Sequence, residues 1–128
     1  MRLLLDTHAL ICWLNDNPTL TAVARAAVAD PINDIFVSGA TAWEIATKVR
    51  RGCLPEAIQV IADFISLLDA QEFEPLTVTT RQGLMAGGLL GDHNDPFDRM
   101  IAAQAIAEAM SVITIDPAIA LLGATVVW

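Results

Sequence analysis

The sequence predicts a three-layer α/β/α domain with a central parallel sheet of about five short strands. Three observations carry that expectation. Wholly apolar runs of three or four residues recur along the chain, longer segments with helical spacing separate them, and no repeat or Gly/Ser-rich linker interrupts the alternation. Strands buried on both faces read as continuous apolar runs, and the helices between them supply the crossovers that parallel pairing requires.

Leu3–Leu5 is the first such run. It stops at Asp6-Thr7, after which Ala9, Leu10, Trp13 and Leu14 fall on one helical face. An alanine-rich amphipathic helix is expected over 20–29, closed by Asp30-Pro31, and Ile35-Phe36-Val37 forms the second strand. Ser38 opens a helix through Trp43, Ile45, Ala46 and Val49 that closes near Gly52. Pro55 suits the first position of a helix running to about Ala70, because its missing N–H costs nothing there. A third strand follows over Phe73–Val78 and a short helix over Thr80–Ala86. Pro96 then starts a helix through Ala109, Val112–Ile115 is a strand, one helical turn follows Asp116, and Ala124–Val127 is the last strand.

The 128 residues fit one domain spanning 1–128, since single cores usually take about 100–200 residues. Hydrophobic residues make up 55% of them, more than one small core normally covers, so part of the apolar surface is expected to meet a partner. No apolar run approaches the roughly 20 residues that span a bilayer. Asp6 and His8 break the apolar stretch behind Arg2, which argues against a secretory signal and for a cytoplasmic protein without membrane contact. Cys12 and Cys53 stand alone and read as reduced thiols; a zinc set combining them with His8 and His93 lacks the tight ligand pairs of structural zinc sites. The net charge of −8 disfavours gripping nucleic acid by bulk electrostatics, unless bound cations reverse the sign of an acidic pocket.

The acids are placed unevenly. Asp6 and Asp116 directly follow strands, so both belong to the carboxyl edge of the sheet, where open parallel sheets bind ligands. Glu44 lies nearly two turns into the helix leaving the second strand and can tip toward that edge. Asp95 and Asp98 stand at the entry of the helix that feeds the Asp116 strand. Each aspartate also reads as a helix N-cap or first-turn acid. Glu44 does not: in its apolar surroundings it needs solvent, Lys48 at i+4, or a cation. Carboxylates converging on one rim repel unless a positive charge intervenes, and Mg²⁺ or Mn²⁺ is the hard cation that oxygen donors suit. Such a centre fits phosphodiester hydrolysis by metal-activated water, with no nucleophilic side chain. Thr7, Ser38, Thr41 and Thr114 near the rim can orient waters or serve as caps. Lys48, Arg50, Arg51 and Arg99 read equally as phosphate contacts or as a solvated helix face.

Four segments in the same order and spacing, LLLDTHALICWL, VSGATAWEIATKVRRGCL, HNDPFDRMIAAQA and VITID, give the chain its resemblance to the VapC-type toxins of the PIN-domain ribonuclease family. The resemblance extends over nearly the whole chain. It implies a PIN-like fold and an acidic quartet of Asp6, Glu44, Asp98 and Asp116 that binds Mg²⁺ or Mn²⁺ and is catalytic. Asp98 rather than Asp95 matches the third acid, which leaves Asp95, Thr7 and Thr114 as outer-shell residues. The resemblance further implies an endoribonuclease cutting transfer or ribosomal RNA, the toxin of a type II toxin–antitoxin pair, a homodimer, and inhibition by a VapB-type antitoxin. Thr41 stands where the family more often has serine, and it keeps the hydroxyl. Two other readings remain. A Mg²⁺-dependent phosphoaspartyl protein or phosphatase using Asp6 would need a second acid where His8 stands. A non-catalytic acidic binding module would use the carboxylates as caps alone.

Overall fold

A computed structural model describes residues 1–128. Five strands, β1 (Arg2–Leu5), β2 (Asp34–Ser38), β3 (Glu74–Leu76), β4 (Ser111–Ile113) and β5 (Val126–Val127), form one sheet in the order β3-β2-β1-β4-β5. All pairs are parallel, with Leu4 of β1 opposite Phe36 on one side and Val112 on the other. The chain builds outward from β1 to β3, then crosses back to lay β4 and β5 on the opposite side. The connections therefore diverge beyond the carboxyl ends of β1 and β4, which is where a crevice opens in such sheets.

Why β1 is apolar from Leu3 to Leu5 is visible in its packing. Side chains alternate across a strand, so Leu3 and Leu5 enter one core with Leu10, Val37, Ile45 and Leu68, while Leu4 enters the other with Ile101, Val112 and Ile119. All three leucines are fully buried, and each contributes about 2 kcal/mol by leaving water.

The helices are α1 (Thr7–Leu14), α2 (Ala22–Ala29), α3 (Gly39–Arg50), α4 (Ile58–Ala62), α5 (Phe64–Ala70), α6 (Thr80–Gly88), α7 (Pro96–Glu108) and α8 (Pro117–Leu121), with a single 3₁₀ turn at Pro55–Ala57. Asp6, Thr21, Ser38, Thr79, Asp95 and Asp116 cap their helices with side-chain oxygens, which fixes where those helices start. The long helix expected from Pro55 to about Ala70 is instead broken into three pieces. At Asp63 the backbone leaves helical geometry (φ −145°, ψ 47°), and its carbonyl takes the first bond of α5 from Leu67 N at 3.0 Å. Aspartate is a poor interior helix residue, and the bend there accompanies the entry of both Val60 and Leu68 into the same core. The third strand is shorter than Phe73–Val78 because it lies at the sheet edge and carries Pro75, which has no N–H to donate. The fourth ends at Ile113; Thr114 N still donates to Val127 O at 3.2 Å, and its hydroxyl then takes the N–H of Asp116, which turns the chain away.

Large apolar side chains remain exposed at Val23, Ile32, Trp43, Ile65, Leu84, Leu90 and Leu121. No helix is long and apolar enough to cross a membrane.

Candidate metal centre

A cleft of about 620 Å³ opens at the carboxyl ends of β1 and β4. Asp6, Glu44, Asp95, Asp98 and Asp116 all line it, together with Thr7, His8 and Lys48. The four expected acids thus arrive from four separate chain segments at one place.

Asp6 is the first residue past β1, and its extended backbone (ψ 171°) turns the chain into α1. One carboxylate oxygen caps α1 by accepting from Ala9 N at 2.7 Å. The side chain is 6% exposed, and burial pushes its pKa up to about 6, with the Asp98 charge adding to the rise. Hydrogen bonds from Thr114 and Ala9 and the charge of His8 oppose that shift without cancelling it. Capping and ligand duty are therefore compatible here, since the cap engages only one of the two oxygens.

Glu44 is held from both sides. Its Oε1 accepts from the Thr7 hydroxyl at 2.5 Å and its Oε2 from Lys48 Nζ at 2.5 Å, the i+4 pair expected from spacing. Thr41 lies behind, its hydroxyl 3.5 Å from that of Thr7. Burial acts to lower the Lys48 pKa, but the hydrogen bond and charge of Glu44, with Asp95 and Asp98 beyond, hold it above its ordinary value. Lys48 is the one lysine or arginine lining the cleft.

Asp98 sits in the first turn of α7, half-buried. Burial raises its pKa, and the charges of Asp95, Asp116 and Glu44 raise it further. Those couplings place the acids within electrostatic reach of one another. Asp95 performs its capping role through one oxygen, accepting from Phe97 N at 2.9 Å and Asp98 N at 3.0 Å. Asp116 caps α8 through Ala118 N at 2.8 Å.

His93 was not expected among these acids. Its Nε2 lies 2.8 Å from Asp98 Oδ2, and the donor atoms of His93, Asp98 and Asp116 all fall within 4.8 Å of one another. The signal in the sequence was the H-x-D-P-x-D spacing of His93 to Asp98, in which a turn can fold the histidine back over the helix start. His8, the other histidine, faces Cys12 Sγ at 3.5 Å and stacks against Trp128. No cluster joins the two cysteines to both histidines: Cys12 is buried, Cys53 is exposed, and His93 belongs to the acids.

The remaining basic residues lie elsewhere. Arg50 and Arg51 are exposed at the end of α3, outside the cleft lining. Arg99 points away from the acids and donates to the carbonyls of Ala86 (2.9 Å), His93 (2.9 Å), Gly87 (3.5 Å) and Leu89, pinning the segment ahead of α7. It also lines a second cleft of about 680 Å³, apolar in character, walled by Trp43, Leu76, Val78, Phe97 and Met100. Trp43 and Phe97 meet edge to face at 4.7 Å, and each precedes an acid of the first cleft in sequence. Titratable groups and their mutual repulsion mark the acidic cleft, not the apolar one, as the place for chemistry.

The donor set fits a hard divalent ion. Buried carboxylates whose charges oppose one another's ionisation are a configuration that Mg²⁺ or Mn²⁺ relieves, because such ions take oxygen ligands.

Fold and cleft together define a class: a parallel α/β protein with an acidic site at the carboxyl edge of its sheet. Within that class the PIN domain family matches residues 3–123, nearly the whole length, and the chain belongs to this family. Comparison with curated proteins finds no match. Among solved structures the chain is similar to one from the Rickettsia felis VapBC2 assembly crystallised with a promoter DNA fragment. That likeness has a TM-score of 0.67 and 20% identity, over 99% of this chain and 98% of the other. It is equally similar to a chain of VapBC-1 from nontypeable Haemophilus influenzae, with a TM-score of 0.67 and 19% identity over 99% and 97% of the two chains. At these identities the likeness establishes the shared fold.

Proposed function

We propose that the protein is a Mg²⁺- or Mn²⁺-dependent endoribonuclease, the toxin of a type II toxin–antitoxin pair, acting in the cytoplasm as one domain spanning 1–128. The observation that carries the reading is the convergence of Asp6, Glu44, Asp98 and Asp116 on one cleft, with Asp98 coupled electrostatically to the other three. Membership of the PIN domain family and the fold shared with chains of VapBC assemblies support it.

Asp6 and Asp98 would hold the ion, Asp116 would support a second and weaker position, and Glu44 would orient or deprotonate the attacking water. A divalent ion bound there supplies polarisation of that water and neutralises charge on the scissile phosphate. Burial makes Asp6 reluctant to ionise alone, so it is poised to favour a cation. Thr7 and Lys48 fix both oxygens of Glu44 in orientation while leaving lone pairs free to accept from water. Thr114 and Asp95 set the positions of Asp6 and Asp98 from behind.

Lys48 is the phosphate contact best placed in the cleft, whereas Arg50 and Arg51 can reach RNA only along the outer face of α3. Transfer or ribosomal RNA is the substrate class this reading assigns. The apolar cleft at Trp43 and Phe97, continuous in sequence with two of the acids, suits burial against a second copy in a homodimer. A VapB-type antitoxin covers the remaining apolar surface.

The deciding experiment is induction in a bacterium with mapping of new 5′ ends on stable RNAs, beside an Asp6→Asn control. New ends and arrested growth with the parent chain alone are expected. Equal arrest by the Asp6→Asn chain, or no new RNA ends, would leave the acidic rim as helix caps on a binding module.

A further inference from the structure

His93 stands against two acids of the cleft, Asp98 and Asp116, with no part in the chemistry assigned so far. A hydrogen bond to Asp98 accounts for the 2.8 Å pair by itself, but not for Asp116, which arrives from beyond β4 and brings a third donor atom within 4.8 Å of both. Adjacent donors on a six-coordinate ion with bonds of about 2.1 Å stand about 3 Å apart, close to the separation that His93 Nε2 and Asp98 Oδ2 already have. Nor is the imidazole carried on a loose segment. The guanidinium of Arg99 grips the carbonyl of His93 itself at 2.9 Å, along with three carbonyls of the chain leading to it. The side chain of His93 is 30% exposed and that of Asp98 21% exposed, so both are reachable by an ion and partly shielded from bulk water.

We propose that His93 ligates a divalent ion through Nε2 beside Asp98 and Asp116, at the second position assigned to Asp116 above, giving a mixed nitrogen and oxygen centre that favours a first-row transition ion such as Mn²⁺ over Mg²⁺. The inference rests on the metal-nuclease reading above and deepens it. Imidazole is a softer donor than carboxylate: it strengthens binding of transition ions and adds little for Mg²⁺, which prefers oxygen and its own water shell. The mirrored alternative is that His93 only donates to Asp98 and orients it, a role common for groups just outside a metal's ligand shell.

The purified full-length protein, stripped with chelator and reloaded with Mn²⁺ alone, separates the two by pulsed electron paramagnetic resonance. Direct ligation produces nitrogen hyperfine coupling to the bound Mn²⁺, which His8→Gln keeps and His93→Gln loses. Growth on histidine carrying the heavy nitrogen isotope changes that coupling in the parent protein, so the result stands even if His93→Gln fails to fold. By calorimetry His93→Gln weakens Mn²⁺ binding by about tenfold or more and Mg²⁺ binding distinctly less. Bound Mn²⁺ without nitrogen coupling, or equal losses for the two ions, would overturn the ligand role and leave the nuclease reading intact. A parent protein that binds neither ion would overturn both.

Discussion

Replacing Asp6 by asparagine is expected to make the metal-free protein more stable and to weaken its stabilisation by metal. Raising an acid from 3.8 to about 6 on folding corresponds to about 3 kcal/mol of ionisation cost at neutral pH. The sign follows from proton counting. Between 3.8 and about 6 the native state binds more protons at Asp6 than the unfolded chain, so this contribution to stability declines as pH rises through that window and levels off above it. Asp98, raised for the same first reason of burial, acts in the same direction. Asparagine still accepts from Ala9 N at the α1 cap, since Asn and Asp cap about equally well, so the substitution removes the charge and little else. For a chain of this size about 3 kcal/mol amounts to a rise in Tm of about 10 °C. Divalent ion should in turn stabilise the parent protein, by about 2.7 kcal/mol at a hundredfold excess over Kd, and stabilise Asp6→Asn distinctly less. Thermal unfolding in chelator across the acid-to-neutral range, then with Mg²⁺ or Mn²⁺, measures each part. Equal midpoints for the two proteins in chelator at neutral pH would refute the claim that Asp6 is a charge held at a cost.

Three further outcomes test other parts of the site. Asp98→Asn and Glu44→Gln should each lower RNA cleavage by at least about a hundredfold with far-ultraviolet circular dichroism unchanged; wild-type cleavage by Asp98→Asn would remove it from the centre. Lys48→Met takes one of two partners from buried Glu44, and because Lys48 is itself substantially exposed the loss should be about 1 kcal/mol in urea unfolding; the salt dependence of RNA binding in the same variant reads its phosphate contact separately. Arg99→Ala frees four carbonyls ahead of α7 and should cost about 2–4 kcal/mol, with Arg99→Lys restoring only part; undiminished stability with a shallower salt slope for RNA binding would make it a phosphate contact instead.

Local chemistry made much of this protein legible in advance. The central strands were readable because β1, β2 and β4 are built on short apolar runs, and most helix starts because Ser, Thr and Asp capping oxygens precede them. Elements went astray where a non-local requirement won: Asp63 breaks a helix whose apolar spacing runs through it, and β3 is short because Pro75 sits on an edge strand that no spacing rule identifies. The dual role of the aspartates also resolved in space. Asp6, Asp95 and Asp116 do cap helices, as their positions suggested, and the cap uses one oxygen while the side chain still lines the shared cleft.

Taken alone, the sequence determined which residues carry charge at the ends of which elements, because strand and helix periodicities and caps act within a few residues of the chain. It also determined the pairing of Glu44 with Lys48, since a helix brings i and i+4 together. What only the tertiary structure decided was the company those charges keep: Thr7 on Glu44, His93 against Asp98 and Asp116, Arg99 turned to backbone carbonyls, and a second, apolar cleft beside the acidic one. The physical reason is that these meetings depend on strand order, with β4 laid beside β1. That order is set by burial of two cores across the whole sheet rather than by anything local to the residues that meet.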